Sequence, residues 1–152
     1  LYLQGRVLAA IQIYGRTQEA FGLYRKALQI DPDYALAWMG IADAYALMTQ
    51  NGQIRFADGA AEAEKAAARA IALEADLAEA HASLGRIRMT EWRWTEADRV
   101  LKRAIELNPS YDRAGLLKYY LGDFATGETL IRKAETLSPY SLAIPMLRAQ
   151  GY

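Results

Sequence analysis

The 152-residue chain contains no cysteine and a single histidine, His81. Disulfides are therefore excluded, and so is a zinc or iron–sulfur centre built from Cys and His ligands. Proline is scarce, at four residues, so few positions are barred from helix interiors. Neither sign of charge predominates, because 18 Lys and Arg balance 18 Asp and Glu. Net charge thus offers no general attraction to nucleic acid, which is not expected as a partner. No apolar run approaches the ~20 residues of a membrane-spanning helix, so no membrane insertion is expected. Glycines 5, 15, 22, 40 and 85 are scattered and never form the clustered loop that cradles a nucleotide phosphate. No secretory signal is visible, although the first residue is Leu1 rather than methionine. The absence of cysteine fits a reducing cytoplasm, the expected location.

What the chain does have is alanine. Hydrophobic residues reach 53%, many of them Ala, the strongest helix former and a poor strand former. Comparison of the chain with itself yields three segments that end alike. They are Tyr24-Arg-Lys-Ala27-Leu28-Gln-Ile30-Asp31-Pro32, Leu101-Lys-Arg-Ala104-Ile105-Glu-Leu107-Asn108-Pro109 and Ile131-Arg-Lys-Ala134-Glu-Thr-Leu137-Ser138-Pro139. A fourth, Ala67-Ala-Arg-Ala70-Ile71-Ala-Leu73-Glu74-Ala75, ends in alanine instead of proline. Seven residues before the internal alanine stand Ala20, Ala63 and Ala97, with Gly127 in that place in the last copy. Two turns apart, these small residues share one helix face and let another helix approach closely. The closing proline cannot extend the helix and disfavours helical geometry at the residue before it. Each segment is thus the second helix of a helix–turn–helix unit. Trp38, Ile41, Ala42 and Tyr45, and again His81, Leu84, Gly85 and Arg88, mark first helices. Asp76-x-x-Glu79 and Thr95-x-x-Asp98 have the spacing of capping boxes, predicting helix starts there.

A helix pair of about 34 residues with small, aromatic and proline positions at these offsets resembles the tetratricopeptide repeat. Residues 78–111 match through Leu84, Gly85, Ala97, Ala104 and Pro109, and residues 1–34 through Gly15, Ala20, Tyr24, Ala27 and Pro32. The resemblance implies an all-α solenoid, a right-handed superhelix of antiparallel helix pairs, spanning 1–152 as one array. Its copies are expected at 1–34, 35–77 with an insertion at 49–59, 78–111, a shortened 112–141, and a partial 142–152. The insertion follows from the spacing of Pro32 and Pro109, which exceeds two regular repeats by nine residues. Segments such as Asp33-Tyr-Ala-Leu-Ala-Trp38 and Glu91-Trp-Arg-Trp94 are similar to arrays attached to bacterial winged-helix regulators, nucleotide cyclases and Ser/Thr kinases.

Such an array implies a non-catalytic scaffold that binds a peptide or protein partner in a groove lined by first helices. The candidate groove residues are Tyr2, Arg6, Met39, Asp43, Leu47, Arg86, Met89, Arg113, Tyr119 and Tyr120. Aromatic, aliphatic and arginine side chains are frequent carriers of interface energy, and the arginines suit a partner with some acidic character. Met39, Leu47, Leu116 and Tyr120 could instead pack against neighbouring helices. A clamp for a C-terminal carboxylate is disfavoured, since the third copy offers Glu79 and Ser83 and no groove asparagine. Two further roles remain open: self-association through apolar ends carrying Leu1, Leu3, Met146 and Leu147, and membership of a larger cyclase or kinase chain. No catalytic residue, metal site or cofactor is expected. His81 is read as a packing residue, and Ser83 as lying on a different side of its helix. Glu62, Glu64 and Lys65 are read as a solvated face. Trp92 and Trp94, flanking a turn, are expected to pack, with a contact outside the groove as the alternative.

Overall fold

The computed structural model describes residues 1–10 and 16–108, together with isolated positions between 122 and 136. Among the described residues there are six helices and no strand. They are α1 (Tyr2–Ala10), α2 (Arg16–Ile30), α3 (Ala35–Gln50), α4 (Phe56–Leu73), α5 (Ala78–Thr90) and α6 (Trp94–Leu107). Each helix packs on its neighbours in sequence, and α3 also touches α1 and α5. The first helices therefore form a row of their own, with α2, α4 and α6 as their hairpin partners.

Close approach in this stack depends on small side chains. Ala20, Ala63, Ala70, Ala97 and Ala104, five of the alanines read from the repeat, are completely buried. Glycine serves the same purpose where an aromatic ring arrives. A Cβ on Gly5 would meet the Tyr24 ring at 2.6 Å, and one on Gly40 would meet it at 2.7 Å. Tyr24 on α2 is thus wedged between α1 and α3, and Tyr2 stacks against both Tyr24 and Tyr34 with centroids 5.4–5.9 Å apart. Gly85 leaves the same room for Leu101, one of the largest fully buried side chains.

The loops before α3 and α5 are built alike. Residues 31–34 and 74–77 each close a reverse turn, with Tyr34 N–H donating to the Asp31 carbonyl and Leu77 N–H to that of Glu74. Trp38 Nε1–H then donates to the Pro32 carbonyl at 2.8 Å, and His81 Nε2–H to the Ala75 carbonyl at 2.9 Å. His81 is accordingly a half-buried packing residue that stands in for Trp38 one copy later. In the same two loops, Asp33 pairs with Arg69 at 2.8 Å and Asp76 with Arg103 at 3.0 Å.

The capping boxes are a correction. α5 begins after Leu77 and α6 after Arg93, and neither start carries a side-chain cap. Asp76 turns its carboxylate across to α6 instead. Thr95 already lies inside the first turn of α6, where it cannot be the residue that precedes the helix. The turn-rich stretch expected between 49 and 59 also contracts, to residues 51–55. α3 has 16 residues against 13 in α5, and α4 has 18 against 14 in α6. Seven of the nine surplus residues therefore lengthen helices and two lengthen the turn. In the fourth copy, Gly127 is helical and buried, and most of 112–141 and all of 142–152 lie outside the described residues.

Candidate functional site

Asp43 on α3 is the centre of the face shared by the first helices. Ser83 Oγ donates to its Oδ1 at 2.5 Å, and Arg86 Nη2 reaches the same oxygen at 2.5 Å. Ser83 and Arg86 lie one turn apart on α5, so one carboxylate ties two successive repeats together. Asp43 and Arg86 remain about one-quarter exposed, which leaves them within reach of a partner. Ser83 is buried, and its pairing with a groove residue is what the sequence reading missed. The signal was its position three residues before Arg86, on the same helix face.

The α1 end of this face is different. Arg6 is exposed, makes no ion pair among the described residues, and lies 6.0 Å from the centre of the Tyr2 ring. Tyr2 itself is buried, with its hydroxyl beside the Arg6 guanidinium. Burial raises the Tyr2 pKa, while the neighbouring Arg6 charge pulls it back. Tyr24, beneath it, is pushed up to about 12, first by burial and then by Tyr2 and Asp43. The array thus places Arg6, Asp43 and Arg86 on successive first helices, over a floor of buried phenols.

The other groove candidates divide. Tyr2 and Met39, expected on the open surface, are buried in the core with Ile41 and Leu84. Leu47 and Met89 are half-buried, and Met89 packs against the cluster of Ala82, Leu101 and Ala104. Arg113, Tyr119 and Tyr120 lie outside the described residues.

Two other readings change. Glu62 pairs with Lys65 at 2.6 Å on the surface, but Glu64 does not belong to a solvated face. Glu64 binds Arg88 at 3.2 Å and Arg93 at 2.9 Å, and Arg93 also holds Glu91 and Glu96 at 3.0 and 2.6 Å. The Arg93 guanidinium keeps the Glu96 carboxyl below its ordinary pKa, and the three carboxylates raise that of Arg93. This network joins α4, α5 and α6. The second change concerns Trp92 and Trp94, which do not pack into the core: Trp92 is 77% exposed.

Solved structures with the same arrangement of helices settle the architecture. The chain aligns with TTC0263, a thermophilic TPR protein of Thermus thermophilus, with a TM-score of 0.78 at 19% identity, covering 97% of this chain and 77% of that one. The chain has the tetratricopeptide-repeat fold. A MamA protein aligns with a TM-score of 0.59 at 22% identity, covering 93% of this chain and 75% of its own. A MamA RS-1 ArsTM double mutant gives 0.57 at 18% identity, over 92% and 76%. No protein-family profile and no curated protein matches the sequence. The tetratricopeptide arrangement makes α1, α3 and α5 the first helices of successive repeats, which is the row that carries Arg6, Asp43 and Arg86. Among the described residues no three His, Asp or Glu side chains converge on a metal position, and no helix is long and apolar enough to cross a membrane.

Proposed function

We propose that this chain is a non-catalytic protein-interaction module that takes a partner segment along the face of α1, α3 and α5. The observation that carries the reading is Arg6: an exposed guanidinium that makes no ion pair among the described residues, on the same row of first helices as Arg86. An acidic side chain of the partner satisfies the Arg6 guanidinium, and charge-assisted bonds of this kind are the stronger ones. Arg86 offers a second anchor, because a partner carboxylate can compete with Asp43 for its guanidinium. Leu47 and Met89, both half-buried, supply apolar contact. The partner is therefore a peptide or helix with apolar and acidic residues, and the module is the regulatory part of a longer bacterial signalling protein.

Isothermal titration with a set of acidic amphipathic peptides tests the reading. Arg6→Glu and Arg86→Gln are expected to weaken the best binder at least tenfold, with helix content unchanged. Affinities equal to that of the parent chain in both variants would remove this face as the site.

Self-association is a second reading, favoured by Leu3 and Val7, which lie exposed one turn apart on α1. Light scattering over a concentration series decides it: a constant monomer mass rules self-association out.

A further inference from the structure

The first helices α3 and α5 end in the same backbone motif. After α3, Gly52 N–H donates to the Thr49 carbonyl and Gln53 N–H to that of Met48. After α5, Trp92 N–H donates to Met89 and Arg93 N–H to Arg88. This is the Schellman ending, whose pivotal residue adopts the left-handed conformation and is usually glycine. α3 obeys the rule with Gly52 at φ +69°, whereas α5 places Trp92 there at φ +62°. A bulky residue in this region is strained, and such outliers concentrate at functional positions.

The strain gains nothing for the core. Trp92 stands in solvent and meets Trp94, 43% exposed, edge to face at 5.5 Å with an interplanar angle of 86°. Two indole faces at nearly a right angle form an open aromatic corner. The Glu64–Arg93–Glu96 bonds fix the residue between them, so the corner is held rather than free to collapse. On the neighbouring repeat, Phe56 opens α4 as Trp94 opens α6, and it is 52% exposed. Phe56 also walls an apolar crevice of about 40 Å³, floored by Ala60, Ala63 and Ile87 and reaching Thr90, two residues before Trp92. Three exposed aromatic rings therefore lie at successive turns after first helices, and Arg86, held by Asp43, lines the same crevice as Phe56.

The charges on this edge select the partner. In residues 51–58, Arg55 is bound to Asp58, and in residues 91–96, Arg93 is bound to Glu91 and Glu96. Every charged residue of these two stretches is thus paired within the protein. An acidic or basic segment, or an anionic bilayer, finds no unpaired charge there to bind. An uncharged segment with flat apolar rings does fit. Proline-rich chains dock on aromatic surfaces, lose little conformational freedom in doing so, and present unbonded carbonyls to indole N–H donors.

We infer that the turn edge is a second interaction surface, which takes an uncharged, proline-containing extended segment of a partner protein. A proline ring sits in the Trp92–Trp94 corner, and a small aliphatic side chain enters the crevice beside Phe56.

The full chain is titrated with decaproline, following tryptophan emission and heat. Saturable binding is expected, at least tenfold weaker in Trp92→Gly and in Phe56→Ser, and absent for a glycine–serine peptide of equal length. Trp92→Gly supplies the residue that the Schellman position prefers, so its fold is retained and loss of binding reports the missing indole. Arg6→Glu is expected to leave decaproline binding intact, which separates this surface from the proposed groove. Three results overturn the inference: no saturable binding, equal affinity in Trp92→Gly, or Trp92-dependent binding to phosphatidylcholine vesicles or to a second copy of the chain without any to decaproline.

Discussion

Gly40 and Gly22 show how differently one residue type acts within the same array. A Cβ at Gly40 collides with three atoms of the Tyr24 ring, a rigid group wedged between helices, whereas one at Gly22 meets nothing within 4 Å. Gly40→Ala is therefore expected to destabilise by about 1–3 kcal/mol through overpacking. Gly22→Ala is expected to stabilise by roughly 0.5–1 kcal/mol, because alanine is the better residue inside a helix. Urea melts of the two variants check the opposite signs. Tyr24 also sets an alkaline limit. Its folded pKa of about 12 lies above the ordinary phenol value of 10.0, so the neutral form is the one the fold favours. Its contribution is complete below pH 10 and is lost as the pH rises towards 12. Stability measured across that window should fall, and fall less steeply in Tyr24→Phe.

Between helices, the decisive contrast is Glu64 against Glu62. Both lie on α4 two residues apart, yet only Glu64 reaches α5 and the turn beyond it. Arg88, its partner, is 14% exposed, so removing Glu64 leaves a largely desolvated guanidinium with only the longer pair to Glu96 at 3.9 Å. Glu64→Ala is expected to cost about 1–3 kcal/mol, in line with a largely buried charge that loses its nearest partner. Glu62→Ala should cost less than ~0.5 kcal/mol, as befits one exposed pair at i,i+3 spacing. Equal effects in thermal melts would show that the network contributes nothing beyond a surface pair. Helix boundaries belong to this scale too. α5 starts where a backbone turn and the His81 clamp place it, and α6 where the Schellman ending of α5 does, which is why capping-box spacing misassigned them.

Across the whole molecule, stability is distributed along one dimension, since each repeat touches only its neighbours. α3 packs against α1, α2, α4 and α5, whereas α1 packs against α2 and α3 and leaves Leu3 and Val7 exposed. Amide exchange should therefore be slower in α3 and α4 than in α1, because local opening of α1 breaks fewer buried contacts. Uniform protection in a hydrogen-exchange experiment would show instead that the array opens as a single unit. At this scale the two proposed surfaces are the first-helix row with Arg6 and Arg86 and the turn edge with three aromatic rings.

The recurring alanine, aliphatic and proline positions were enough to read the helix pairs, because burial at 3.6-residue spacing is written directly into the chain. They also aligned Trp38 with His81, and the two side chains make matching bonds to loop carbonyls. Tertiary structure alone decided where the surplus of nine residues went, since a sequence cannot say whether extra residues extend a helix or a loop. It also decided which polar residues meet: Asp43 with Ser83 and Arg86, 40 and 43 residues apart, and Glu64 with Arg88 and Arg93. Such partners depend on the angle at which neighbouring helices cross, and that angle is set by packing between them rather than by the pattern along either one.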